Sequence, residues 1–192
     1  KALERPKGEL TEADLQKVTG LSLRNTKITD EGLKEMGKLK NLTTLDLAAT
    51  KITDEGLKDA AKLQKLGLLW LDNTEITDAG LKEVAKLQKL KLLFLRSTQI
   101  TDSGLKELAN LHKLEQLFLN NTEVTNEGLK EVAKLQELTM LSLSSTLVTD
   151  EGLKDVAKLQ KLLWVFLRAT KVTRTGVVEL KKALPNCDIV GP

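Results

Sequence analysis

Covalent chemistry has little to work with in this sequence, which holds one cysteine, one histidine and no tyrosine. A single thiol, Cys187, excludes an internal disulfide, and with it the cysteine-stapled caps common on secreted repeat proteins. A reducing, cytoplasmic compartment is the expectation. His112 stands in the run NLHKL, after an outer helix, where an imidazole is expected at the surface rather than as a ligand or base. Neither a phosphate-binding glycine loop nor paired metal-ligand spacing occurs, so no enzyme, metal site or small-molecule cofactor is expected. No run approaches eighteen consecutive apolar residues, and nothing reads as a membrane-spanning helix. The net charge of +3 is the remainder of 30 basic and 27 acidic residues spread evenly along the chain, so neither nucleic acid nor an anionic membrane is expected as a partner. The chain opens at Lys1 with neither an initiator methionine nor a signal sequence, which reads as a processed chain.

What the chain has in abundance is periodicity. Threonines at 26, 50, 74, 98, 122, 146 and 170 fall 24 residues apart without an insertion, and Gly32 through Gly176 and Leu23 through Leu167 keep the same step. Each unit reads LxxLxLxxTx[IV]TDxGLKxxAKLQK. In the second unit Leu45 and Leu47 alternate with variable residues, which predicts a short strand with leucines inward and positions 44, 46 and 48 outward. The following Ile52 to Leu57 reads as a helix start, with Thr53 as N-cap, acids in the first turn and Ile52 stapling Leu57. Leu57, Ala60, Ala61 and Leu63 make the inward stripe of a helix of about two turns, too short to stand alone in water. Units of this kind bury their leucines only against their neighbours.

The residues resemble a leucine-rich repeat of the short class with an outer helix, as in ribonuclease inhibitor and the cysteine-containing repeats of F-box substrate receptors. The TDxGL run is most similar to the F-box type, with Thr where that family carries Cys or Asn. A threonine hydroxyl ladder is the expected substitute for its asparagine ladder. No F-box segment accompanies the repeats, so ubiquitin-ligase function is not carried over. The resemblance implies an α/β fold: a right-handed solenoid, a horseshoe arc with a parallel concave sheet and short convex helices. It implies a single domain over 1–192, with an N-terminal helical cap over 1–20, seven strand-bearing repeats over 21–176 and a C-terminal cap over 177–192. Val177 to Leu184 reads as the last helix, ended by Pro185, with Cys187, Asp188 and Ile189 closing the edge.

Positions identical in all copies serve the scaffold, and the variable ones are on the outward side of the strands. There the sequence places Leu68, Trp70 and Asp72; Leu92, Phe94 and Arg96; Gln116, Phe118 and Asn120; Met140, Ser142 and Ser144; and Trp164, Phe166 and Arg168. All aromatic residues of the chain, two Trp and three Phe, are in these columns. Random placement would do this with odds on the order of one in a hundred thousand if the alternation holds. Trp70, Phe94 and Phe118 share a column and are expected to form an apolar strip bordered by Arg96, Arg168, Asp72 and Asn120, the composition of an interface hot spot. The competing reading is that the column braces the sheet, at about 0.2 to 1 kcal/mol per cross-strand pair. Trp164 and Phe166 stand where the C-terminal cap can lean over them.

The expected function is thus non-catalytic binding of a protein or peptide on the concave face. The alternatives are a structural protein that forms a homodimer through the same strip and an engineered repeat binder. Asn126 and Arg174 in place of Asp, and Val165 in place of Leu, read as the drift of a natural array. Rows of Lys34, Lys58, Lys82 and their successors beside Glu35, Asp59, Glu83 and theirs read as a solubilising outer surface.

Overall fold

Each repeat turns once from strand to helix and back, as the 24-residue period requires. The computed structural model describes residues 11–192. The strands are β1 (Gly20–Ser22), β2 (Thr44–Asp46), β3 (Leu68–Trp70), β4 (Leu92–Phe94), β5 (Gln116–Phe118), β6 (Met140–Ser142), β7 (Trp164–Phe166) and β8 (Asp188–Val190). They form one sheet in chain order, every pair parallel. Register follows the repeat: Leu45 pairs with Leu69, Leu69 with Leu93 and Trp70 with Phe94. The helices are α1 (Glu12–Leu15), α2 (Asp30–Lys34), α3 (Asp54–Ala60), α4 (Asp78–Val84), α5 (Asp102–Leu108), α6 (Asn126–Val132), α7 (Asp150–Val156) and α8 (Arg174–Ala183). They line the opposite side of the core, and the sheet is curved and unclosed.

Seven strands are expected from the repeat; the described residues form eight. Asp188–Val190 pairs with β7, Ile189 opposite Val165, held by Asp188 N–H donating to the Leu163 carbonyl at 2.7 Å and Leu167 N–H to that of Val190 at 2.8 Å. The last helix begins at Arg174, three residues before the expected Val177, because Thr173 caps it by accepting from Gly176 N–H at 3.3 Å. At the other end Thr11 caps α1, and Asp14 answers it in a capping box. Residues 1–10 of the expected N-terminal cap lie outside the described residues.

The core is aliphatic. Leu45, Leu47, Ile52 and Leu57 are buried, and so are their counterparts through the middle repeats. Burial on this scale is what sustains helices of four to ten residues that nucleation would otherwise defeat.

The threonine hydroxyls lie inside the turn but do not bridge the repeats. Thr50, Thr74, Thr98, Thr122 and Thr146 are buried, but each hydroxyl donates to the carbonyl three residues back in its own repeat, as Thr50 Oγ1 does to Leu47 at 2.6 Å. These bonds close the turn after the strand and join no repeat to the next. Repeats are joined instead by the aspartate at each helix start. Asp102 Oδ1 accepts from Thr125 N–H at 2.8 Å, and Oδ2 from Thr125 Oγ1 at 2.6 Å. The same pair of bonds links Asp30 to Thr53, Asp54 to Thr77, Asp78 to Thr101 and Asp150 to Thr173. The threonine hydroxyl in turn caps its own helix, Thr125 Oγ1 accepting from Glu127 N–H at 3.2 Å.

This interlock explains three features read as framework or drift. A Cβ on Gly128 would stand 2.4 Å from Asp102 Oδ1, so the glycine makes room for the preceding repeat's carboxylate. Asn126 keeps both bonds to Thr149, its Oδ1 accepting from the backbone and its Nδ2 donating to the hydroxyl at 2.8 Å. Arg174 starts the last helix, and among the described residues no repeat follows for an aspartate there to hold.

Outside, four lysines of the row pair within their own helices rather than with the adjacent row: Lys34 with Glu31, Lys58 with Glu55, Lys130 with Glu127 and Lys154 with Glu151. Such exposed pairs add little to stability. Among the described residues no helix is long and apolar enough to cross a membrane.

Candidate partner-binding face

Strand alternation puts the middle residue of every strand into the core and the two flanking ones on the inner face. The flanking columns run Leu68, Leu92, Gln116, Met140, Trp164 and Trp70, Phe94, Phe118, Ser142, Phe166. All five aromatics are therefore on one side of one sheet, but they do not share one environment.

Trp70, Phe94 and Phe118 form a stack. The first two rings lie 5.3 Å apart at 20°, the second two 4.3 Å apart at 7°. Strand spacing sets this distance: residues in register on neighbouring parallel strands are ~4.8 Å apart, close to the ideal for offset rings. Arg96 lies across the top, its guanidinium carbon 4.6 Å from the Phe118 centroid and 5.4 Å from that of Phe94. Stacking and the arginine leave Phe118 only 8% exposed, while Trp70 and Phe94 are half-buried.

Two expected contact residues are thus below the surface. Phe118, read as an anchor, is the covered inner end of the stack. Asp72, read as a border contact, is 5% exposed, and its Oδ1 accepts from Arg96 N–H at 2.8 Å. Burial pushes the Asp72 carboxyl above its ordinary value, against the lowering by the Arg96 backbone bond and the nearby guanidinium. The third column curls inward here as the chain leaves the strand, and Ala48 at the same position is fully buried. Leu68, Leu92 and Asn120 are partly exposed, and Arg96 and Arg168 are exposed.

The other aromatic group is open. Trp164 is 39% exposed and has no ring partner among the described residues. Met140 and Phe166 beside it are half-buried, like Trp70 and Phe94, and Leu163, one residue before β7, is 42% exposed. The cap does not lean over them; it extends the sheet, bringing Asp188 alongside Trp164 and Val190 alongside Phe166. Ser142, buried in the aromatic column, separates the closed stack from this patch. Leu163 is a residue the sequence reading missed. Its column otherwise runs Thr43, Gly67, Lys91, Glu115, Thr139, so a leucine there is the signal that was available.

Cys187 is buried and free, its thiol pushed up by burial. His112 is exposed. No cluster of metal-ligating side chains occurs among the described residues.

A family model described as Leucine Rich repeat matches residues 14–37, 38–59 and 86–109. This chain has the fold of a leucine-rich-repeat solenoid. It is similar to the crystal structure of internalin C2 from Listeria monocytogenes, with a TM-score of 0.74 and 29% identity over 95% of this chain and 84% of that one. It also resembles a leucine-rich-repeat protein of Leptospira interrogans, with a TM-score of 0.66 and 23% identity, where it covers 92% of its own length and 49% of the other chain. Comparison with curated protein sequences finds no match. Leucine-rich-repeat proteins commonly mediate protein–protein interaction and are typically not enzymes.

Proposed function

We propose that this solenoid is a non-catalytic module that binds a protein or peptide on its inner sheet. The open patch of Met140, Trp164 and Phe166 supplies the apolar anchor, and the arginine-capped stack supplies a rigid platform beside it. The observation that carries this reading is Trp164: a large apolar side chain left open in a chain whose core is otherwise aliphatic. An aromatic anchor with polar and arginine neighbours is what a hot spot requires, and a pre-stacked platform loses little entropy on binding.

The stack also favours part of the bracing reading. Phe118 and Phe94 tie β4 to β5 whether or not a partner is present, so the two aromatic groups divide the labour. One holds the sheet and the other meets the partner.

A library of random dodecapeptides, selected on the wild type and screened against Met140→Ser/Trp164→Ser, tests the reading. Peptides that bind the wild type and lose about tenfold or more in affinity on the variant are the expected result. Selections that survive the variant, or none at all, would overturn it.

A further inference from the structure

The ion pairs among the described residues all use lysines. Arg96 has no carboxylate within pairing distance, although Asp72 is its neighbour in the same column. Instead its guanidinium carbon lies across both rings, 4.6 Å from the Phe118 centroid and 5.4 Å from that of Phe94. Among the described residues the Arg96 guanidinium makes no hydrogen bond or ion pair, so a cation held by the rings keeps its N–H donors free on the inner surface.

Asn120 stands next to it on the following strand, the two chains joined by Ser97 N–H donating to the Asn120 carbonyl at 2.9 Å. The Asn120 side-chain oxygen is buried and accepts no hydrogen bond, the one such atom among the described residues. Its Nδ2 makes no hydrogen bond to the protein and is not among the buried unpartnered atoms, so the amide turns its donors outward. Burying an unpaired amide oxygen costs about 1 to 3 kcal/mol. The scaffold does not require that cost, since Ser144 and Ala48 fill the same column. Two adjacent side chains therefore present only donors to the inner face, beside an apolar stack.

We propose that Arg96 and Asn120 form a subsite for a side-chain carboxylate, and that the partner segment carries an aspartate or glutamate next to an apolar residue. The carboxylate receives the guanidinium edge and the Asn120 Nδ2–H, and the apolar neighbour rests on Trp70 and Phe94. Charge complementarity selects this occupant: a lysine or arginine would meet two sets of donors and no acceptor. A charge-assisted pair of this geometry discriminates because the amide analogue of the ligand leaves the guanidinium with a neutral acceptor.

This inference rests on the inner face being the binding face, and the peptide selection separates the two. Peptides chosen by the wild type are expected to be enriched in Asp or Glu beside an apolar residue, and their amidated counterparts, Asn or Gln, to bind about tenfold more weakly. Arg96→Gln should abolish the acidic preference while retaining binding through Trp164; Arg96→Lys should restore only part of it. Peptides that need Trp164 but show no acidic preference, or keep it in Arg96→Gln, would overturn the carboxylate subsite and leave the binding face standing. Failure to select any Trp164-dependent peptide would overturn both.

Discussion

Replacing Phe118 by alanine should destabilise this protein far more than replacing Trp164, although Trp is the larger residue. Phe118 is 8% exposed and stacked on Phe94 at 4.3 Å, with Arg96 lying across both rings. Truncating a buried phenylalanine costs about 3 to 5 kcal/mol, of which the ring pair accounts for about 0.5 to 1.5. The site borders solvent and can relax, so the low end, about 3 kcal/mol, applies. Trp164 is 39% exposed and lacks a ring partner, and its loss should cost about 1 kcal/mol. For a chain of this length these values correspond to falls in Tm of roughly 6–12 °C and 2–4 °C. Urea denaturation of the two variants, followed by far-UV circular dichroism with m compared to wild type, measures the difference. Equal losses would refute the division of the inner face into a bracing stack and an open patch. So would a Phe118→Ala loss below about 1 kcal/mol.

Three further outcomes follow from the scaffold and the inner face. Gly128→Ala should destabilise by about 1 to 3 kcal/mol through its clash with Asp102 Oδ1, and Asp102→Ala should cost about 2 kcal/mol by freeing Thr125. In the double variant the losses should be clearly less than additive, which a denaturation cycle reads; full additivity would mean the interlock is not the reason for the glycine. Ala49 and Ala169 hold φ of 54°, in the left-handed region, at the position that carries Asn in other repeats, so Ala49→Asn should stabilise by about 0.5 to 1 kcal/mol in thermal melts. Asp72 has its carboxyl raised in the folded state, so the folded protein holds its proton more tightly than the unfolded chain. Its contribution to stability is therefore present below the unfolded carboxylate range and is lost as pH rises through the folded value. Asp72→Asn, which can still accept from Arg96 N–H, should be more stable than wild type at neutral pH, with the advantage shrinking on acidification; a constant difference across pH would contradict the burial argument.

The period made nearly all of the fold legible before any coordinates, because a 24-residue unit whose leucines cannot be buried alone admits few arrangements. The eighth strand escaped because Asp188-Ile189-Val190 has no leucine and follows a helix three residues longer than α3 to α7. Counting one more step from Trp164 would have found it. The inter-repeat bonds escaped for another reason: the Asp, Thr and Gly of TDxGL all have sufficient local roles at a helix start, which hid their joint action between repeats. The site was legible as a location and not as a surface. Alternation places the aromatics on the inner face, but it cannot show that Phe94 and Phe118 lie parallel, that Arg96 lies down on them, or that Asp72 turns under. Those depend on side-chain rotamers, which period 2 does not encode.

The central claim is that the inner face stands open in water for a partner of another kind, and light scattering over a hundredfold range of concentration tests it most directly. The account predicts a monomer throughout, for the wild type and for Met140→Ser/Trp164→Ser alike. A dimer that grows with concentration and disappears in the variant would contradict it, because the open patch would then already be filled by a second copy of this chain.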